Sequence, residues 1–376
     1  MAGIYIHIPF CRHGCDYCDF YYSLQLSRLH DVIEAIVMEL RLRRNYLKNK
    51  QVKTIYLGGG TPSIIKQAQL EKIVNTIREH YNLKVEEFTM EVNPDDISQE
   101  YLKGLLDVGV NRLSIGIQSF DKGVLEILNR KHDTVHALHS IELAYNSGFK
   151  NISVDLIYGV PGLDAGKWQS TLEKIKYYYP AHVSAYHLTY EKGTRMWYKL
   201  QKERIMEISE DESIEQYEFM INFLKDNGYD HYEISSFARD NLYSKHNMSY
   251  WQRVPYIGIG PSAHSYNGIS RQWNQKGIQS YVKSIMEKKP MIEEEFLSET
   301  DLYNEYVLTS LRTKWGIDIR EVEKINAKIR DFFTTNLNRF IHSNDVISED
   351  GIHFRLTTKG LLKSNFIYKS LFLHKG

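Results

Sequence analysis

The three cysteines of the chain lie within one eight-residue window, and this clustering most constrains what the chain can fold into. Cys11, Cys15 and Cys18 directly follow a strand-like segment, so one short loop at a strand end carries all three thiols. An odd number of cysteines without an export signal argues against a disulfide framework and for metal ligation or catalysis. Such close spacing lets one loop wrap three corners of an iron-sulfur cubane, whose fourth iron is then open to a cofactor or substrate.

Zinc is the alternative that the spacing leaves open. Zinc accepts the same thiolates, and His13 or another histidine would complete a four-ligand site. The cysteine window by itself therefore predicts a metal centre without fixing which metal.

Composition and charge narrow the class of protein. The chain has 376 residues, of which 42% are hydrophobic and 25% charged, as in a globular protein with a sizeable core. Forty-seven basic residues balance forty-seven acidic ones, so neither a nucleic acid nor an anionic membrane is favoured as a partner. No signal peptide precedes the first strand and no apolar run approaches roughly 20 residues, so we expect a soluble, cytoplasmic protein.

The first half of the chain alternates short apolar runs with longer amphipathic segments, which is typical of parallel βα units. Strands are predicted at Ile4 to Ile8, Thr54 to Leu57, Glu87 to Val92, Arg112 to Ile117, Ile152 to Ile157 and His182 to Leu188. Helices are predicted at Leu29 to Leu47, Gln69 to Tyr81, Gln99 to Val108, Asp121 to Leu128, Val135 to Ser147 and Lys167 to Tyr178. Six such units make a barrel or part of one, although an open doubly wound sheet has the same periodicity.

Polar and glycine-rich residues cluster just after these strands. The clusters are 58–62, 91–94, 118–120 and 155–159. Because the carboxyl ends of parallel strands carry the active site in both barrels and open α/β folds, these residues are predicted to face one mouth.

Three regions are expected along the chain. Residues 1–210 form the α/β partial barrel. Residues 211–297 form a joining and lid region, with a helix near Asp211 to Asn227 and then an irregular stretch through Trp273. Residues 298–376 form a small helical, winged-helix-like domain with a hairpin around Glu349, Asp350 and Gly351. This last region is not strongly basic, so it is interpreted as a packing domain rather than a DNA-binding one.

The Cys-x3-Cys-x2-Cys spacing at the end of a first strand, with Tyr17 before the last cysteine, resembles the radical S-adenosylmethionine (SAM) signature. Further blocks resemble the family of oxygen-independent coproporphyrinogen III oxidase and its relative HemW, a haem chaperone: 5–11, 58–62, 91–94, 112–120 and 155–161. The resemblance spans essentially the whole chain. It implies a partial (β/α)6 barrel, a [4Fe-4S] cluster on the three cysteines, and SAM chelating the open iron.

The resemblance also implies roles in a SAM pocket. The amino group of SAM would be held by Glu91 and by the backbone of Gly59, Gly60 and Thr61. Arg130 would bind the carboxylate, and Gln118 and Asp155 would bind the ribose hydroxyls. Tyr17 would lie near the adenine, and further pocket positions are matched by Tyr5, Thr189 and His264. Each residue type suits its partner, since glycine permits close approach and a guanidinium matches a carboxylate. From the residues alone, the glycines could equally form a tight turn, Arg130 a solvated charge, and Glu91 and Asp155 surface groups.

Two functions follow from the resemblance. Phe20 stands where the oxidase has a further cysteine, and the N-terminus before Cys11 is short, which both weaken the oxidase interpretation. His246, Tyr250 and Trp251 match the His-Asn-x-x-Tyr-Trp motif of HemW, which would supply an axial iron ligand and rings for a porphyrin face. We therefore expect a haem-binding chaperone that delivers haem to membrane or respiratory proteins, with the decarboxylating oxidase as the alternative. A monomer and a homodimer are both left open.

Overall fold

Six parallel strands form the centre of the molecule in the computed structural model, which describes residues 1–374 without the side chain of Ala327. They are β1 Ala2–Ile8, β2 Val52–Gly59, β3 Leu83–Val92, β4 Arg112–Gln118, β5 Asn151–Tyr158 and β6 His182–His187. Each strand pairs in parallel with the next one along the chain. Their apolar side chains are almost fully buried, as expected for a parallel sheet covered by helices.

Helices cross over between consecutive strands, which confirms the predicted partial (β/α)6 barrel. They are α1 Leu29–Leu42, α2 Gln67–His80, α3 Gln99–Val108, α4 Lys122–Ile127, α5 Thr134–Asn146 and α6 Ala165–Tyr178. Most of them begin after an N-cap residue whose side chain accepts a hydrogen bond from a backbone N–H of the first turn, such as Ser98 before α3 and Asp164 before α6.

The predicted helix near Asp211 to Asn227 is present, but the stretch that follows it through Trp273 is not irregular, and that expectation was wrong. The elements after β6 are α7 Arg195–Gln201, α8 Glu210–Asp226, β7 Asp230–Glu233, β8 Ser236–Ala238, α9 Lys245–Trp251, β9 Tyr256–Ile259, β10 His264–Tyr266, β11 Ser270–Asn274, α10 Ile278–Met286 and β12 Ile292–Phe296. The β8–β7 pair adds to β6, while β9 adds to β1 in parallel and is followed by β10, β11 and β12. Strands of three to five residues contain too few alternations to show a period in the sequence.

The C-terminal region forms a helical domain with its own apolar core and a three-stranded sheet in the order β13-β15-β14. Its elements are α11 Glu299–Leu311, β13 Ile317–Asp318, α12 Ile319–Ile325, α13 Ala327–His342, β14 Val346–Ile347, β15 His353–Leu356, α14 Thr358–Leu362 and α15 Ser364–Leu371. The antiparallel β14–β15 pair is the predicted hairpin, and the winged-helix-like architecture is confirmed. Among residues 1–374, no helix is both long and apolar enough to cross a membrane.

A buried ionic network ties α1 to the strands that extend the sheet beyond β1. Glu39, fully buried, accepts hydrogen bonds from Arg43 (3.0 Å), Asn274 (2.8 Å), Tyr281 (2.6 Å) and the backbone N–H of Gly260 (2.9 Å). A buried carboxylate is tolerated because every partner is a donor. The network therefore fixes the turn after β9 against the barrel.

Replacing Glu39 with Ala should lower the free energy of unfolding by about 3–5 kcal/mol, because Arg43 is left as an uncompensated buried charge. Urea unfolding followed by circular dichroism measures the loss. The matched control is Glu34→Ala on the same helix, whose carboxylate pairs with Lys72 at the surface and should cost less than about 1 kcal/mol. Equal losses in the two variants would contradict the importance of the network.

Candidate iron-sulfur and cofactor site

A cavity of about 410 Å³ opens at the carboxyl ends of β1 to β6. Most of the predicted site residues line it together: Cys11, Cys15, Tyr17, Cys18, Gly59, Gly60, Thr61, Glu91, Gln118, Arg130, Asp155 and Thr189. They come from six strand ends, as the parallel topology requires. A volume of this size suits a small organic cofactor.

The loop that carries the thiols is held from two sides. Asn129 donates a hydrogen bond to the carbonyl of Gly14 (2.8 Å), and the N–H of Met196 donates to the carbonyl of Asp16 (2.7 Å). The carboxylate of Asp16, almost fully buried, pairs with Lys199 on α7 at 2.6 Å. The three thiols are thus presented by a loop whose backbone is fixed before any ligand binds.

Hydrogen-bond donors point at two of the thiols. The Thr61 hydroxyl lies 3.3 Å from Cys11 Sγ, and Arg130 Nη1 lies 3.5 Å from Cys15 Sγ. Such donors stabilise thiolate sulfur, which is the form that binds metal. Within the described residues, no three His, Cys, Asp or Glu side chains are arranged around one point to hold a single ion. Three cysteine thiolates on one loop are the ligand type that holds an iron-sulfur cluster.

The glycine run after β2 serves close packing. A Cβ on Gly60 would lie 2.6 Å from the carbonyl oxygen of Phe10, just before the cysteine loop, and a Cβ on Gly58 would lie 2.9 Å from Glu91 Oε1. A side chain at Gly60 would collide with backbone, whereas one at Gly58 would force the Glu91 carboxylate to shift. The run therefore brings the β2 end against the cysteine loop and leaves room for the Glu91 carboxylate.

Glu91, at the end of β3, faces the cavity with its carboxylate fixed by two donors. Tyr56 donates to Oε1 at 2.8 Å and the N–H of Gly59 donates to Oε2 at 3.2 Å. Burial raises the pKa of Glu91 to about 7, although the Tyr56 hydrogen bond opposes the rise. The carboxylate can accept a further hydrogen bond from an ammonium group, and it does so best above neutral pH.

Arg130, Asp155 and Gln118 complete the lining. Arg130 Nη2 donates to the carbonyl of Gly116 at 2.7 Å, which aims the guanidinium toward the thiols. Asp155 on β5 accepts from Ser114 at 2.9 Å, and burial raises its pKa. Gln118 has a left-handed backbone (φ 67°), a conformation that costs a non-glycine residue about 1 kcal/mol or more. Such strain is typical of positions that hold a ligand.

The matches to known protein families fall in the barrel and in the C-terminal domain. Residues 5–175 match the Radical SAM superfamily, and residues 297–362 match the HemN C-terminal domain. The chain is 34% identical to heme chaperone HemW of Lactococcus lactis (98% of this chain, 97% of that protein) and 32% identical to that of Bacillus subtilis (98% of each). The chain belongs to the HemW family. Its fold is also that of coproporphyrinogen III oxidase (HemN) from Escherichia coli, with a TM-score of 0.86 over 99% of this chain and 90% of that one at 23% identity.

Two pocket positions inferred from the HemW family resemblance do not line the cavity. Tyr5 on β1 donates to or accepts from His7 Nδ1 at 3.1 Å and packs among the rings of the barrel interior. His264 on β10 is exposed, and its ring stacks on Trp273 with 5.8 Å between centroids. As the side chains stand, neither contacts the space beside the thiols.

The HemW-like motif lies on a short helix, α9, rather than on a loop. His246 is 1% exposed, and both of its ring nitrogens are engaged: Nδ1 with Thr54 Oγ1 and Nε2 with Tyr250 OH, each at 2.8 Å. Burial, and then the charge of Arg112, lower the pKa of His246 to about 3. The imidazole would have to leave both partners to reach an iron, so axial ligation by His246 stays a prediction.

Trp251 points away from the other two motif residues. It lines a separate cleft of about 330 Å³ between α9 and the C-terminal domain, where Arg312 stacks over its indole at 4.5 Å. Its Nε1 is buried without a hydrogen-bond partner in the described part of the chain. The motif therefore divides between two places, the barrel interior and this cleft.

Several cavity residues were missed by sequence reasoning: Tyr56, Asn93, Arg112, Tyr186 and Asn247. Arg112 and Asn93 fall within the blocks that resemble the HemW family, yet nothing in their residue type indicated an inward orientation. Asn247 is the asparagine of the His-Asn-x-x-Tyr-Trp motif, but the motif does not indicate that this side chain reaches the cavity, which depends on the placement of α9.

We expect His246→Ala to lower the free energy of unfolding by about 1–3 kcal/mol, because Thr54 and Tyr250 lose buried partners. Denaturant titration of purified protein measures the change. Lys245→Ala is the neighbouring control, since Lys245 Nζ pairs with Glu86 at the surface and should contribute less than about 1 kcal/mol. A folded His246→Ala variant as stable as the parent would show that the ring has no structural role.

Proposed function

We propose that this protein is a haem chaperone that carries a SAM-ligated [4Fe-4S] cluster, binds haem, and delivers it to haem-requiring membrane enzymes such as respiratory cytochromes. The observation that carries the proposal is similarity along the whole chain to proteins named heme chaperone, at 34% and 32% identity. The geometry of the cavity and of α9 supports its separate parts.

Cys11, Cys15 and Cys18 would hold the cluster, with Thr61 and Arg130 as hydrogen-bond donors to its sulfur ligands. When bound, such a cluster supplies the electron that cleaves SAM homolytically. The residues of this chain fix the loop and would orient the cofactor. Cluster potentials respond to hydrogen bonds of this kind.

The cavity lining supports SAM as the occupant. Glu91 would accept from the SAM amino group, Asp155 and Gln118 would bind ribose hydroxyls, and Arg130 would face the carboxylate. The two carboxylates and the guanidinium are each oriented by hydrogen bonds to neighbouring groups. Preorganised groups of complementary charge suit a zwitterionic head with a cationic sulfonium.

Phe20 supports the chaperone over the oxidase. It lies 67% exposed at the rim of the cavity, where the oxidase has a further cysteine. The rim thus presents an apolar ring and no additional thiol. Decarboxylation of a propionate requires accurate placement of the substrate, and small errors in position cost large factors in rate.

For haem we favour the cleft beside α9. Trp251, Met248, Tyr306 and Trp315 provide an apolar, aromatic and polarisable lining, and Arg253 adds a cation near the porphyrin's carboxylates. His246 and Tyr250 contribute by holding α9 against the barrel. In this proposal the motif positions the haem surface and does not itself ligate iron through His246.

Glu91→Gln should bind SAM at least about tenfold more weakly than the parent at pH 8, because the ammonium loses a charged acceptor. In the parent, SAM affinity should fall as the pH drops through about 7, where Glu91 becomes protonated. Equilibrium dialysis with anaerobically reconstituted protein measures both.

Iron and sulfide content provides the matched control. Glu91→Gln should retain about four irons, whereas Cys15→Ala should lose the cluster and SAM together. Stoichiometric zinc in the reconstituted parent, or unchanged SAM binding in Glu91→Gln, would contradict the assigned site.

Haem titration should show binding to the parent and about tenfold weaker binding to Trp251→Ala, because a porphyrin face loses its aromatic contact. Trp251→Phe should restore most of the affinity. Trp273→Ala, on the far hairpin, is the control. With SAM and reductant, the parent should form no protoporphyrinogen from coproporphyrinogen III.

Two results would revise this assignment. SAM-dependent formation of protoporphyrinogen would favour the oxidase. A shifted Soret band in folded His246→Ala, with normal binding by Trp251→Ala, would move the haem site to the barrel side of α9.

A further inference from the structure

Arg112, the first residue of β4, places a guanidinium inside the barrel beneath the cofactor cavity. The residue is 1% exposed, and its Nε is buried without a hydrogen-bond partner in the described part of the chain. The side chain nevertheless lines the cavity. A buried cation without hydrogen bonds costs several kcal/mol unless nearby charges compensate it, so the surrounding groups must explain why it is there.

Three carboxylates surround this guanidinium. Glu87 Oε2 lies 4.0 Å from Arg112 Nε, and Glu91 and Asp155 line the same cavity. Burial raises the pKa of both Glu91 and Asp155, and the positive charge of Arg112 lowers both. Arg112 is therefore the cation of a buried cluster, and the neighbouring carboxyl groups offset its charge where its Nε has no hydrogen-bond partner among the described residues.

The other titratable groups near Arg112 are neutral. Burial and then the Arg112 charge lower the pKa values of His182 and His246, so both imidazoles stay uncharged. Tyr56 and Tyr232, from β2 and β7, have pKa values raised by burial and stay protonated. Glu87, Glu91 and Asp155 are thus the carboxyl groups around Arg112, and its charge favours the ionised form of the last two.

Glu87 is already committed to another partner. Its two carboxylate oxygens accept the backbone N–H groups of Lys245 (2.8 Å) and His246 (2.9 Å) at the start of α9. Glu91 and Asp155 instead keep oxygen atoms facing the cavity. The charge of Arg112 is therefore most consequential for the two carboxylates that meet the cofactor.

We propose that Arg112 is a positioning residue for the cofactor: its buried positive charge keeps Glu91 and Asp155 as carboxylates that can accept hydrogen bonds from the amino group and ribose of SAM. The inference rests on the proposed function in taking SAM as the occupant. Arg112 contacts neither the cluster ligands nor, because it lies deep in the barrel, the reacting atoms. Its effect on SAM passes through the two carboxylates.

The test compares Arg112→Met, which removes the charge at similar length, with Arg112→Lys, which keeps it. SAM affinity is measured by equilibrium dialysis between pH 6 and 9 on reconstituted protein. Arg112→Met should bind about fivefold more weakly at pH 7 and approach the parent at pH 9, since loss of the charge raises the pKa of Glu91 by about one unit from its value near 7. Arg112→Lys should stay within about threefold of the parent throughout.

A merely structural role would weaken SAM binding equally at every pH, and a pH-independent loss in Arg112→Met would overturn the proposal. If Arg112→Met does not fold, Arg112→Lys decides: parent-like affinity and pH profile support the proposal, and lost affinity with the charge retained overturns it. Arg41→Met, an exposed arginine on α1, is the control, and iron content verifies the cluster. A parent that binds no SAM at any pH would overturn the proposed function itself, a result distinct from either variant outcome.

Discussion

The parallel pairing of β1 to β6 is the constraint on which the rest of the molecule depends. Parallel pairing with crossover helices brings six carboxyl ends to one mouth, so residues far apart in the chain share one cavity. The cysteine loop forms part of a site only because the ends of β2, β3 and β4 place hydrogen-bond donors and carboxylates beside it. Gly60 makes this possible sterically, since a Cβ there would collide with the backbone of Phe10 just before the loop.

Hydrogen bonds link several polar side chains in the interior beneath the mouth. One chain of hydrogen bonds runs from Asp155 through Ser153 and His182 to Tyr232, with distances of 3.3, 2.8 and 2.7 Å. Tyr232 then accepts from the N–H of Ser244, the residue that caps α9. Together with the contacts of Glu87, this chain fixes α9 relative to the cofactor pocket. Buried polar networks of this kind specify one arrangement because any partial arrangement leaves costly unpaired groups.

The sequence predicted the first 200 residues well because each βα unit is long enough to show its period. Helix α3 begins and ends where expected, and the six strands differ from prediction by a few residues at their ends. Cavity residues at strand ends were predictable from topology plus resemblance. Arg112 and Tyr56 were not, because whether a strand residue points inward depends on register, which one sequence does not reveal.

The short elements after β6 show a second limit of prediction from sequence, and α9 is the clearest example. On a helix, residues four apart lie on the same face, so His246 and Tyr250 meet and form a 2.8 Å hydrogen bond. Trp251 follows His246 by five residues, which at 3.6 residues per turn rotates it about 140° away. In the sequence alone, the motif suggests one surface that bears an axial iron ligand and two aromatic rings. Folded as a helix, it cannot present all three to one flat molecule, and the barrel already uses the His246 face. A planar ligand that binds α9 from outside therefore meets the side bearing Trp251 and Met248, which makes the tryptophan the motif residue most directly available for recognition.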